Sequence, residues 1–130
     1  MSILEMLARH AEFLGYGTVA DRQWPGDVFA GTMPDAPDNC IAFLPVDLRY
    51  GGSGQWARVQ VLVRNVREKA CLATAQALAA DLDGYEDFLA MHLSRVSIRL
   101  LSGPGSLGMD SRRRVLMSLN LLVRYCEEEA

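Results

Sequence analysis

Four stretches hold side chains capable of chemistry. Gly103-Pro104-Gly105-Ser106-Leu107-Gly108 spells G-x-G-x-x-G, the turn that lets a backbone close on a dinucleotide pyrophosphate. That use requires a strand before the motif and a helix after it, but the residues beyond Gly108 alternate as a strand does, so the run reads as the tip of a hairpin. His10 and His92 are the only histidines. A nucleophilic serine or cysteine needs a base and an orienting carboxylate, and neither histidine has these nearby in sequence or stands at a metal-ligand spacing. His10 is expected on a helix surface beside Arg9, and His92 close to the start of a C-terminal ribbon. Asp81, Asp83, Glu86 and Asp87 gather around Gly84. Carboxylates so placed could transfer protons or hold a cation, whereas acids at a helix end usually form a solvated surface, and Asp81-Leu82-Asp83-Gly84 lacks the other ligands of a calcium loop.

Arg112-Arg113-Arg114 beside Asp110 is the strongest charge signal. Three cations next to a glycine-rich loop could grip phosphate or an acidic partner, yet neighbours along a strand point to alternate faces. Contact with a protein partner, solvated charge and nucleic-acid binding all stay open for it, and Glu127-Glu128-Glu129 at the far end of the same strand adds intersubunit ion pairing. Cys40, Cys71 and Cys126 are an odd number with no C-x-x-C pair, which argues against a disulfide framework or zinc knuckle and for buried free thiols. No cofactor is expected.

These residues must be positioned by one domain, since 130 residues suffice for a single continuous core. Half the residues are hydrophobic and 22% are charged, which argues against disorder. No apolar run approaches a membrane span and no signal-peptide pattern opens the chain, so synthesis in the cytosol is expected. The net charge of -3 conceals an uneven layout. Residues 1–50 carry seven acids against three arginines, and residues 94–126 carry six arginines against Asp110 alone. Twelve of the thirteen cations are arginine, whose forked, weakly hydrated head suits protein interfaces.

Ser2-Ile3-Leu4-Glu5 forms a capping box ahead of a helix over 3–14, with Glu5, Arg9 and Glu12 facing water and Gly15 as its stop. The Gly, Pro and Asp of residues 15–38 predict a long ordered loop, with a short strand near Val28-Phe29-Ala30 and Trp24 as an anchor to the core or to a partner. Asn39–Leu44 reads as a strand covered on both faces, weakened at Pro45, and Gly51–Gly54 as a turn. Ala57, Val59, Val61 and Val63 then alternate with Arg58, Gln60, Leu62 and Arg64 in a half-buried strand. Asn65 caps a helix over 66–82, and residues 85–93 are a strand or a helical turn. The last third is a β-ribbon. Val96, Ile98 and Leu100 share one side with Val115, Met117, Leu119, Leu121, Val123 and Tyr125, and residues 102–111 form a flexible projecting loop. The expected fold is α+β: an antiparallel or mixed sheet with both helices packed on one face and a long C-terminal β-hairpin. Arg58, Gln60, Leu62, Arg64, Arg114, Leu116, Ser118, Asn120, Leu122 and Arg124 would then share the other face. That mixture of arginine and leucine suits contact between subunits. The rival use, a nucleic-acid platform on the arginine ribbon, lacks surface aromatics for stacking, because Tyr125 falls on the core side.

The N-terminal amphipathic helix, the loop running into "DNCIAFLP", the segment "ARVQVLVRNVREKACLATAQAL" and the hairpin "GPGSLGMDSRRRVLMSLNLLVRYC" together resemble the phage minor capsid and tail-terminator (tail-completion) proteins. The resemblance spans most of the chain. It implies a non-enzymatic structural protein of a phage or prophage virion, assembled in the bacterial cytoplasm. Such a protein forms a ring, typically a hexamer, that caps the tail tube, halts its growth and joins it to the head. The implied partners are further copies, the tail tube protein and a head-completion protein, with DNA passing through the ring and no sequence-specific nucleic-acid contact. On this view Arg58, Arg64, Arg114 and Arg124 lie at subunit contacts, while Gly103, Pro104, Gly105, Leu107, Gly108 and Asp110 form the loop that meets the tail tube.

Overall fold

The computed structural model describes residues 2–21, 23–51, 54–88 and 95–125. The first helix, α1, spans Ile3–Phe13. Ser2 has extended backbone at its N-cap, and its Oγ accepts the Glu5 amide at 3.2 Å, as the capping box requires. The stop is equally local. Gly15 takes φ +92°, its amide donates to Glu12 and the Tyr16 amide donates to Ala11, the two bonds of a Schellman motif.

The six strands are β1 (Val28–Ala30), β2 (Cys40–Gly51), β3 (Gly54–Asn65), β4 (Glu86–Phe88), β5 (Arg95–Met109) and β6 (Val115–Tyr125). They form one sheet in the order β1-β2-β3-β6-β5-β4, with β1 parallel to β2 and the other pairs antiparallel. The second helix, α2, spans Glu68–Leu82 and starts two residues later than the sequence suggests. Asn65 does not cap it directly: its Oδ1 accepts the Arg67 amide, while Asn39 Oδ1 accepts that of Val66.

Period-two alternation sets the core. Val61 stands opposite Phe43 on one side and Leu119 on the other, and Val123 stands opposite Ile98, so the apolar residues of β2, β3, β6 and β5 line one face. That face is covered by Ile3, Met6, Leu7 and Ala11 of α1 and by Cys71, Ala75, Leu78 and Leu82 of α2. Both helices therefore pack on the same side of a mixed sheet, as expected. Burial pushes the Cys40 and Cys71 thiols above their usual range, which keeps them unreactive.

Two expectations change. Residues 102–109 are not a free loop but the outer half of β5, paired with β6 through three one-residue shifts. Leu100 faces Leu121, Ser102 faces Asn120, Gly105 faces Ser118 and Gly108 faces Leu116. Each shift puts one more residue on β5 than on β6, as a bulge does, and glycine eases the second and third, at Gly103 and Gly108. Gly103 has φ +103°, and a Cβ there would lie 2.5 Å from the Ser118 carbonyl oxygen. Arg112, Arg113 and Arg114 precede β6 instead of opening it, and occupy the turn after Met109 with Arg113 at φ +60°.

Candidate interaction surface

The face of the sheet away from the helices divides into two ends with different fates. At the end holding the start of β2 and the end of β3, residues 31–39 fold back across the strands. Arg64, only 5% exposed, donates from Nη2 to the Pro37 carbonyl at 2.6 Å and from Nε to that of Asp38 at 3.2 Å. Arg114, 3% exposed, donates from Nη2 to the Asp35 carboxylate at 2.9 Å, from Nε to Asp110 at 2.8 Å, and also to the Asp35 carbonyl and Asp38 carboxylate. Asp110 in turn accepts the amides of Arg112 at 2.9 Å and Arg114 at 3.0 Å. The Arg114 amide first, and then its guanidinium, holds the Asp110 carboxyl below its usual range, against the opposing effect of burial. Arg112 adds an ion pair to Asp35 at 2.9 Å. This network staples the loop to the β5–β6 turn.

At the other end no described element covers the sheet. Registers place Trp56 beside Arg124, Arg58 beside Leu122, and Leu122 beside Arg99, all on the face away from the core. The bulge after Leu100 turns Leu101 toward the same surface, where it is 46% exposed next to Val46 at 57%. Two adjoining hollows of about 270 and 280 Å³ open there, the first lined by Trp56, Arg58, Leu101, Leu122 and Arg124. Arg58 and Arg124 are exposed and make no ion pair among the described residues. Apolar side chains framed by unpaired guanidinium groups make a surface suited to another protein.

Of the four arginines expected at subunit contacts, then, the structure leaves Arg58 and Arg124 available and assigns Arg64 and Arg114 to the staple. The expectation that this face lacks aromatics is corrected by Trp56, while Tyr125 is buried on the core side as expected. Asp110 belongs to the turn; Gly103, Pro104, Gly105, Leu107 and Gly108 belong to β5, where Leu107 is 53% exposed and Met109 61%.

Of the residues weighed for catalysis, His10 comes within electrostatic reach of Asp81, without a described nucleophile beside them. His92 lies outside the described residues, as do Cys126 and Glu127–Glu129. His10 is buried, not on the helix surface, with its ring 4.7 Å from that of Tyr85. Burial lowers its pKa, partly opposed by the charge of Asp81. Asp81 accepts the Tyr16 hydroxyl, tying the residues after α1 to α2, and burial followed by that bond pushes the Tyr16 phenol up. Asp83 accepts the Leu100 amide at 2.9 Å. Two of the four clustered acids thus hold elements together. Among the described residues no group of three His, Cys, Asp or Glu side chains could hold a metal ion, and no helix is long and apolar enough to cross a membrane.

The sequence profile for the bacteriophage tail terminator protein matches residues 18–126, most of the chain. The chain belongs to the phage tail terminator family. No curated protein matches it. Among solved structures, a chain from "Virion of native gene transfer agent (GTA) particle" superposes with a TM-score of 0.56 at 16% identity, covering 89% of this chain and 83% of that one, a likeness of fold. The tail terminator is accordingly a phage structural protein, localised in the virion.

Proposed function

We propose that this tail terminator acts without bond-making chemistry. It joins copies of itself in a closed ring, six in the form its family resemblance implies, that caps the tail tube, stops its growth and presents the surface on which the filled head docks. The observation that carries this reading is the bare end of the sheet, where Arg58 and Arg124 frame Trp56, Leu101 and Leu122 and no described element covers them. A solvent-facing sheet surface needs no such apolar area. The outer half of β5, with Leu107 and Met109 exposed, is the stretch we assign to the tail tube. Electron microscopy of tail-tube protein polymerised with and without the terminator tests the role. The expected result is tubes of limited length ending in a ring-shaped cap, and unlimited tubes with bare ends in its presence would contradict it.

Trp56 beside Arg124 also gives the nucleic-acid platform one stacking surface. A salt-dependent mobility shift of labelled DNA that is lost in Trp56→Ala would favour that use of the patch.

A further inference from the structure

A ring of identical subunits is held by head-to-tail contacts, so each copy needs two different, complementary patches. The surface framed by Arg58 and Arg124 supplies one. A second lies at the β1 edge of the sheet. Here the chain doubles back: the Asp27 carboxylate accepts the Thr18 amide at 2.7 Å, Ala20 donates to the Val28 carbonyl, and Asp21 accepts the Gln23 and Trp24 amides at 2.8 Å each. These bonds fix the backbone that carries Trp24, yet its indole is 68% exposed. Of the two anchors expected for Trp24, core or partner, the exposure leaves the core unserved. The indole borders an open groove of about 590 Å³ walled by Pro25, Phe29, Ala36 and Pro37, with Asp21 at its rim.

Resting on the ring reading above, we infer that this groove edge is the other half of the subunit contact. Trp24 of one copy seats against the Arg58–Arg124 surface of the next. Three observations carry the pairing. First, the charges are complementary. Arg112 and Arg114 take up Asp35 and Asp38, which leaves Asp21 exposed at the groove with Asp27 beside it, whereas the receiving end of the sheet holds Arg58, Arg95, Arg99 and Arg124 against Asp47 and Glu86. Second, an exposed indole is the side chain that guanidinium groups hold best, through stacking and cation–π attraction. Third, the receiving hollow of about 270 Å³ is lined by Trp56, Leu101 and Leu122 between the two guanidinium groups, an apolar floor suited to an indole ring. The two patches lie on different strands, β1 against β3, β5 and β6, so one copy can use both at once, as a closed ring demands.

The test mixes two assembly-deficient proteins. Trp24→Ser or Trp24→Arg removes one half of the contact, and Arg58→Glu with Arg124→Glu removes the other. All these side chains are exposed, so circular dichroism should match the unaltered protein. By light scattering the unaltered chain should be a multimer, each variant alone a monomer, and an equimolar mixture a dimer of twice the monomer mass, because one intact contact remains and cannot extend. If the unaltered chain is multimeric but the Trp24 variants keep that mass, or the mixture stays monomeric, this pairing is wrong while the ring reading stands. An unaltered chain that stays monomeric at several hundred micromolar overturns both.

Discussion

Arg64 and Arg58 lie six residues apart on β3 and face the same way, as Arg114 and Arg124 bracket β6, yet the members of each pair have opposite roles. Arg64 and Arg114 are almost wholly buried and donate to carbonyls and carboxylates of residues 35–38, whereas Arg58 and Arg124 stand in solvent with no ion pair among the described residues. Sequence periodicity gives all four the same face; what differs is whether a loop folds back to meet them. A buried guanidinium needs every donor answered, so the loop and the arginines at that end hold one another in place. At the other end the same chemistry remains open to a partner.

The contrast predicts that substitutions at the two ends separate stability from assembly. Arg64→Ala should cost the isolated chain about 3 kcal/mol in urea unfolding, because two carbonyls lose a charged donor and the loop loses its anchor. Arg114→Ala should lower the urea midpoint as well, with faster proteolysis within residues 31–39. Arg58→Ala and Arg124→Ala should each shift stability by less than about 0.5 kcal/mol, as surface substitutions do. A large stability loss from either would erase the distinction.

Acid should separate the regions too. His10 has a lowered pKa in the folded chain, so the unfolded chain binds more protons once pH falls below its ordinary 6.5. The stability this gives is complete above that value and declines as pH drops toward the folded pKa; His10→Phe should flatten that part of the urea-midpoint profile. Asp110 also has a lowered pKa, so its contribution is complete above its ordinary 3.8 and is lost as pH falls through its folded value. Loosening of the β5–β6 turn, which Asp110 holds through Arg112 and Arg114, should therefore appear only below about pH 4, well after the His10 effect. Simultaneous loss of both regions near pH 6 would contradict the assignment. A change of the opposite sign belongs to Arg113, whose φ of +60° disfavours any side chain. Arg113→Gly should leave stability unchanged or raise it by up to about 1 kcal/mol, read from the same urea curves.

What could be read from the sequence was what depends on near neighbours or strict period. The Ser2 capping box, the Gly15 stop and the one-sided apolar pattern of β3 and β6 follow from local rules, and they fixed the two helices, their common face and the arginine–leucine composition of the other. The outer half of β5 was hidden because its bulges break the alternation that marks a strand, and glycine weakens any strand signal. The burial of His10 depends on Tyr85, far along the chain, and the roles of Arg64 and Arg114 depend on carbonyls of a loop whose path no local pattern records. One signal was available: Asp35 and Asp38 within a proline-rich loop need cationic partners, and Arg114 beside Asp110 supplies one.

The most direct test of the account is light scattering on the chain with Arg58→Glu and Arg124→Glu, beside the unaltered protein and Arg64→Ala. The unaltered chain should weigh two or more whole multiples of 14.3 kDa. The double variant should show the single-chain mass with unchanged circular dichroism, and Arg64→Ala a lowered urea midpoint. A double variant that keeps the full multimer mass would show that the bare end of the sheet is not where copies meet.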